Sequence, residues 1–438
     1  MRDTIAAIAT ARGRAGIGVV RISGPESPRI ATCVLGSLPP ARLAVLRDFL
    51  CADGTVIDRG LALYFPAPGS YTGEDVLELH GHGGDVVQQM VLESVLLAGA
   101  RLARAGEFTE RAFLAGRLDL AQAEAVADLI SAGSKQAVRA AQATLGGEFS
   151  RRIQTLVEEL TALRVQLEAS LDFADEDIAE MEPALVARAL ERLEERVTVT
   201  LQAAARGVRL RDGLRVVLAG APNVGKSSVL NRLAGEERAI VTPVPGTTRD
   251  VIRETLTIGG ATVELIDTAG IRHSDDVVEQ AGIARAVQQM RQADLLLLIE
   301  DDSAPEPRAP MDIEPDLDRL VVRNKVDLSG RAPGVFHAGV RVSALSGAGF
   351  DALCEAIASR AAHLVGDGQF TARRRHVEAL DECLQCVRAA RGTQCRAGGT
   401  ELVAEELRRA QLALGRITGS VSSDDLLGRI FASFCVGK

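Results

Sequence analysis

The residues of this 438-residue chain best suited to chemistry stand near its middle. Gly220-Ala221-Pro222-Asn223-Val224-Gly225-Lys226-Ser227 fits G-x-x-x-x-G-K-[ST], the spacing of a phosphate-binding loop. Glycines let backbone N–H groups wrap phosphate oxygens, and the following helix turns its positive end toward them. Lys226 supplies a cation and Ser227 a hydroxyl for Mg²⁺. An apolar run at 214–219 reads as a strand and 228–233 as a helix, which is the context the loop requires. A nucleoside triphosphate is the expected ligand.

Four later stretches narrow that ligand. Thr248 of Gly246-Thr247-Thr248 can reach Mg²⁺, and Asp267-Thr268-Ala269-Gly270 can hold the Mg²⁺ shell and offer a glycine N–H to a γ-phosphate. In Asn324-Lys325-Val326-Asp327 a carboxylate can accept from the N1–H and 2-amino group of guanine, a pair adenine lacks. Ser343-Ala344-Leu345 adds a backbone N–H for the guanine carbonyl. Singly, each has a plainer reading, such as a helix cap for Asp267 or a turn for Asn324. Together, in this order and at strand ends, they specify GTP and resemble the translation-factor class of P-loop GTPases. Ile271 stands where a Ras-like enzyme carries its water-orienting glutamine, so hydrolysis must be organised differently. Arg249 lies near the switch, either as a catalytic cation or paired with Asp250 or Glu254.

The elements that must position these residues are those of an α/β module. Over 211–366, strand-like runs at 251–258, 261–267, 293–300, 320–323 and 339–343 alternate with helical ones at 279–291 and 350–364. Residues 303–315, with four prolines, read as a surface loop. Residues 1–118 read as an α+β domain with strands at 16–22, 60–65 and 75–80 and a helix at 85–97. There Gly81-His82-Gly83-Gly84 reads most simply as a flexible turn. Apolar residues at three- and four-residue spacing mark helices at 121–130, 153–171 and 183–205, and again at 377–391 and 402–414. These predict one helical bundle in two parts, 119–210 and 367–438, with the nucleotide module inserted between them. The acidic run 172–177 lacks the spaced glycine of a Ca²⁺ loop and reads as a solvated connection.

Composition excludes other classes. The charge is 50 − 59 = −9, so nucleic acid must be met by a local patch, with Arg373-Arg374-Arg375 and Arg408-Arg409 as candidates. Their plainer reading is a solvated helix face. No Trp and two Tyr leave little for stacking bases. Seven scattered cysteines point to a reducing, cytoplasmic setting, and Cys383-Leu384-Gln385-Cys386 lacks the second pair a zinc site needs. No apolar run reaches the roughly 18 residues of a membrane span, and the start does not resemble a secretory signal.

Outside the nucleotide motifs, several stretches look like signatures of the MnmE (TrmE) family of tRNA modification GTPases. They are Val20-Arg21-Ile22-Ser23-Gly24-Pro25, Tyr71-Thr72-Gly73-Glu74-Asp75, Gly81-His82-Gly83-Gly84, Arg104-Ala105-Gly106-Glu107-Phe108-Thr109, Leu118-Asp119-Leu120-Ala121-Gln122-Ala123-Glu124-Ala125 and Phe434-Cys435-Val436-Gly437-Lys438. The resemblance implies an N-terminal domain that dimerises and binds a tetrahydrofolate one-carbon donor, 5,10-methylene- or 5-formyl-tetrahydrofolate. It also implies a discontinuous helical domain and an inserted Ras-like G domain. It implies a partner, the flavoprotein MnmG (GidA), and a product, an aminomethyl or carboxymethylaminomethyl group on carbon 5 of the wobble uridine (position 34) of certain tRNAs.

Folate-contacting positions carry over to Arg21, Glu78, Arg117 and Lys438, although the family commonly has lysine at the place of Arg117. Nucleotide-contacting positions carry over to Asn223, Val224, Gly225, Lys226, Ser227, Ser228, Thr242, Pro243, Val244, Pro245, Gly246, Thr247, Thr248, Asp267, Thr268, Ala269, Gly270, Asn324, Lys325, Asp327, Ser343, Ala344 and Leu345, with Mg²⁺ on Ser227 and Thr248. The resemblance further implies K⁺ in place of an arginine finger, held by Asn223, Thr242, Val244 and Thr247, with transient G-domain dimerisation completing the site. It assigns the attacking water to Glu279, which would otherwise read as a helix first-turn carboxylate. For Cys435 two roles stay open: a thiolate that handles the one-carbon unit, or part of a tail that closes over folate through Lys438. Two other readings of the whole also stay open. One is a GTP-dependent switch in ribosome assembly or membrane-partner binding, and the other is an N-terminal domain that only dimerises.

Overall fold

The computed structural model describes residues 3–172, 182–236, 253–267, 293–304, 317–366, 368–393, 399–421, 424–435 and 437. The chain divides into two compact units, one of residues 1–127, 150–182 and 392–438 and the other of residues 128–149 and 183–391.

The first unit opens with β1 (Ile5–Ile8), β2 (Ala15–Ser23), α1 (Ser27–Leu35), β3 (Val45–Leu50), β4 (Val56–Phe65), β5 (Val76–Gly83), α2 (Asp85–Leu97) and β6 (Arg101–Leu102). The sheet order is β3-β4-β5-β2-β1-β6, antiparallel except for the β1–β6 pair. Alternation decides the faces. Val20, Ile22, Leu77 and Leu79 pack on Ile30 and Val34 of α1 and Val91 and Val95 of α2. The intervening Arg21, Glu78 and His80 therefore point to the opposite face. β1, β3 and β6 go beyond the strands expected from sequence. The Gly81–Gly83 stretch corrects the expected flexible turn, because it continues β5, with Gly81 opposite Gly18 and Gly83 opposite Ala15. Asp58 fixes it: the His82 N–H donates to Asp58 Oδ2 at 2.7 Å and the His82 ring nitrogen Nδ1 meets Oδ1 at 2.7 Å. These contacts hold the Asp58 carboxyl below its ordinary range although burial opposes them.

Helices follow: α3 (Glu107–Leu114), α4 (Leu120–Ser131), α5 (Lys135–Leu145), α6 (Glu148–Asp172) and α7 (Pro183–Asp212). Next come β7 (Leu214–Ala219), α8 (Lys226–Glu236), β8 (Arg253–Ile258), β9 (Ala261–Asp267), β10 (Leu295–Asp301), β11 (Arg319–Asn324), α9 (Val326–Ser329), β12 (Gly334–Phe336), β13 (Gly339–Arg341) and α10 (Phe350–Val365). The chain closes with α11 (Arg374–Thr393), α12 (Gly399–Thr418) and α13 (Asp424–Ala432). Strands β7 to β13 form a sheet in the order β12-β13-β11-β10-β7-β9-β8, parallel at its centre and antiparallel at both edges. Val216, Leu218, Leu297 and Val322 meet α8 and α10 through Val229, Leu233, Phe350 and Ile357 on one face. Val217, Ile266 and Leu296 form a second cluster of alternate residues on these strands. Both-face burial is why the central strands read as continuous apolar runs.

Cys383 and Cys386 are buried on α11, where burial pushes the Cys383 thiol up to about 12. Among the described residues no helix is long and apolar enough to cross a membrane.

Candidate functional site

The described nucleotide motifs lie at the carboxyl ends of the parallel strands, where open α/β sheets bind ligands. The phosphate loop joins β7 to α8, and Asn223 within it takes a left-handed backbone at φ 64°. Lys226 turns back over the loop, its Nζ donating to the Gly220 and Ala221 carbonyls at 2.9 Å each. Ser227 and Ser228 are exposed in the first turn of α8.

Asn324, at the end of β11, is 3% exposed and joins two loops. Its Nδ2 donates to the Val224 carbonyl at 2.9 Å, and its Oδ1 accepts from the Ala344 N–H at 3.0 Å. Lys325, also left-handed at φ 70°, donates to the Asn223 carbonyl and to Asp301 Oδ2, both at 2.7 Å. Burial opposes ionisation of Asp301, but Lys325 and Ser303 prevail and hold its carboxyl below the ordinary range. Ser343 Oγ donates to Asp327 Oδ1, which aims the carboxylate assigned to guanine. Leu345 is exposed. Three loops distant in sequence are thus one hydrogen-bonded frame. Asp301 was missed from sequence because the strand reading stopped at Glu300. Its signal was its place at a strand's carboxyl end.

Asp267 ends β9, and its side chain lies outside the described residues, as do residues 242–249, 268–270 and 279. The expectations for Thr242, Pro243, Val244, Pro245, Gly246, Thr247, Thr248, Arg249, Thr268, Ala269, Gly270 and Glu279 therefore fall outside the description. Of the expected cation ligands, Asn223 on the loop and Ser227 in the first turn of α8 are both exposed, an amide and a hydroxyl oxygen that fit hard cations.

The first unit holds a second cluster. On the sheet face away from α1 and α2, Arg21 Nε donates to Glu78 Oε1 at 2.9 Å, and His80 Nε2 meets Glu78 Oε2 at 3.1 Å. The Arg21 guanidinium lies 5.8 Å from the ring centroids of both Tyr71 and Phe108. The side chain of Arg117 passes the same loop, its Cγ and Cδ 3.7 Å from where a Cβ on Gly73 would stand. The C-terminal tail is held near the end of β1. The Gly106 N–H donates to the Cys435 carbonyl, and buried Gly437 comes so near β1 that a Cβ would fall 2.5 Å from the Ile8 carbonyl oxygen. Ile8 is the β1 partner of Val20, next to Arg21. Cys435 is exposed, and Lys438 lies outside the described residues. This set of guanidiniums and a carboxylate beside the partly exposed Tyr71 suits a flat heterocycle with an acidic tail. His80 was not singled out from sequence, although the alternation Leu77-Glu78-Leu79-His80 places it beside Glu78.

A family model described as the TrmE N-terminus matches residues 4–117, and one for the MnmE helical domain matches residues 120–435. A protein from Nitrosococcus oceani named tRNA modification GTPase MnmE is 49% identical over 447 residues, covering 100% of this chain and 98% of that protein. The chain belongs to the MnmE family. Other MnmE proteins, from Pseudomonas aeruginosa and Stutzerimonas stutzeri, are 48% and 49% identical, each over 100% of this chain and 99% of its own length. The MnmE match spans both the nucleotide frame and the Arg21–Glu78 cluster.

Proposed function

We propose that this protein is a GTP-hydrolysing tRNA modification enzyme that works with MnmG to add a (carboxymethyl)aminomethyl group to carbon 5 of the wobble uridine, using a tetrahydrofolate one-carbon donor. The observation that carries this reading is the presence, in one chain of the MnmE family, of a guanine-nucleotide frame and a separate Arg21–Glu78 cluster, with the C-terminal tail held against the end of the nearby strand β1.

At the nucleotide site, Lys226 leaves the Gly220 and Ala221 carbonyls for the phosphates, and Ser227 with Thr248 would hold Mg²⁺. Asp327, aimed by Ser343, accepts from the guanine edge. Asn223, with Thr242, Val244 and Thr247, would hold K⁺. That cation supplies positive charge where an arginine finger would otherwise act. Glu279 orients the attacking water.

At the second cluster, Glu78, held by Arg21, accepts from the pterin, and Arg117 and Lys438 pair with anionic groups of the folate. Bound folate supplies the one-carbon unit. Cys435, exposed on the tail, would act on it as a thiolate or would belong to a tail that closes over the folate through Lys438. The chain works in the cytoplasm as a homodimer through its N-terminal domain, with the G domain inserted into a discontinuous helical domain and G domains pairing transiently. tRNA is met through the complex.

The test is nucleoside analysis of tRNA from a strain lacking this chain. The wobble modification is expected to disappear and to return with the wild-type chain. An unchanged nucleoside profile rules the function out.

A further inference from the structure

The Arg21–Glu78 pair has a third member. A carboxylate only accepts, so His80 carries its proton on Nε2 and donates it to Glu78 Oε2 at 3.1 Å, while Arg21 Nε donates to Oε1 at 2.9 Å. Each oxygen of Glu78 is thus held by a different neighbour: Arg21 from the directly paired position on β2 and His80 two residues along the same face of β5. A carboxylate has about four lone-pair sites, and two remain, one on each oxygen. The three side chains are 19%, 16% and 30% exposed, so the fork is reachable from solvent yet shielded enough for its hydrogen bonds to count. Two adjacent acceptors on a fixed plane match two adjacent donors, the ring N–H and exocyclic amine of a 2-amino-4-oxo pyrimidine edge.

We propose that His80 is a positioning residue of the folate site: it pins the second oxygen of Glu78, so that the carboxylate presents a two-pronged acceptor to the 2-amino-4-oxo edge of the pterin. This rests on the folate reading above. Arg21 alone would leave the carboxylate free to turn about its own bond, and one prong would be lost for much of the time. An imidazole does more here than fill space. It supplies one N–H at fixed reach, which a glutamine amide also supplies and a leucine or phenylalanine does not.

The experiment is equilibrium binding of 5-formyltetrahydrofolate to the full-length wild type, His80→Gln, His80→Leu and His80→Phe, with thermal unfolding of each as the control for folding. The wild type binds; Leu and Phe weaken binding by about tenfold, the size of one hydrogen bond to a charged group. Gln stays within about threefold of the wild type. The 2-desamino analogue of the ligand has one donor fewer, and is expected to bind the wild type and the Leu and Phe variants alike. Phe keeps ring volume at a partly exposed strand position, so if Leu fails to fold, Phe and Gln decide. Binding to Leu and Phe at wild-type strength overturns the role of His80 and leaves the folate site standing. Gln as weak as Leu also overturns it, reducing His80 to packing. A wild type that binds no 5-formyltetrahydrofolate overturns the folate reading itself, and this inference with it.

Discussion

At Asn324 one buried amide does two jobs, holding the phosphate loop through the Val224 carbonyl and the guanine-side loop through the Ala344 N–H. Asn324→Ala leaves both partners without their protein contact, at about 1–3 kcal/mol for each that stays dry. Nucleotide affinity is therefore expected to fall by at least about tenfold. The fall should be equal for GTP and GDP, because neither contact concerns the γ-phosphate. Titration with fluorescent nucleotides checks this, and a loss confined to GTP would contradict it.

A second residue-scale prediction concerns Glu107, buried among Arg101, Arg111 and the Arg104 N–H. Burial works against its charge, but these donors prevail and hold the carboxyl at about 2, against an ordinary 4.5. A depressed carboxylate stabilises fully above its unfolded value, and the gain is lost as pH falls through the folded one. The wild type should therefore lose stability between about pH 4.5 and pH 2 more steeply than Glu107→Gln. Urea midpoints across that window measure the difference.

At the scale of elements, the segments that lead into and out of the residues joining α7 to α11 meet at one carboxylate. Asp128 on α4, its side chain 5% exposed, accepts at Oδ1 from Arg211 Nε at 2.8 Å and from Arg373 Nη2 at 2.9 Å. Thr371 Oγ1 adds a longer contact to Oδ2, and its N–H donates to Thr144 Oγ1 at 2.8 Å. Phe149 stacks on Phe370 at 4.7 Å beside it. Asp128→Ala removes two charge-assisted hydrogen bonds from this buried carboxylate, while Arg211 keeps its contact with Asp212, so it is expected to cost about 1.5–3 kcal/mol in urea unfolding. A cost near zero would show that the clamp adds nothing.

None of this was legible from sequence, because Arg211 and Arg373 lie 83 and 245 residues from Asp128. Arg373 read as part of a candidate nucleic-acid patch or, more plainly, of a solvated helix face, whereas its guanidinium is mostly buried against Asp128. What was legible is local. The apolar run into Gly220 marked β7, and the apolar spacing at 85–97 marked α2 at its observed bounds. Strands β1, β3 and β6 were not legible: Ile5–Ile8 is half alanine, Val45–Leu50 breaks its apolar run with Arg47 and Asp48, and Arg101–Leu102 is two residues long. Such strands are held by their neighbours more than by their own propensity. Glu78 was reached through family resemblance, whereas its partner His80, two residues on along the same strand face, was passed over.

For the whole molecule, the deciding question is what completes hydrolysis in a GTPase with Ile271 where the glutamine usually stands. The described part of the site is built for holding: Lys226 covers the loop, and Asn324 and Lys325 brace it. None of these orients a water. The proposal assigns the remaining functions to Glu279 and to a cation at Asn223, with a second G domain closing the site. Turnover per molecule should therefore rise with protein concentration in KCl and stay low and flat in NaCl. Glu279→Ala should lower kcat by about a hundredfold or more, the usual contribution of a positioned acid or base, while nucleotide affinity stays near wild type. Asn223→Ala should erase the difference between the two salts. Equal turnover in KCl and NaCl, independent of concentration, would mean that one chain carries a complete hydrolytic site by itself. In that case a catalytic group must be sought among its own residues, with Arg249 the first to replace.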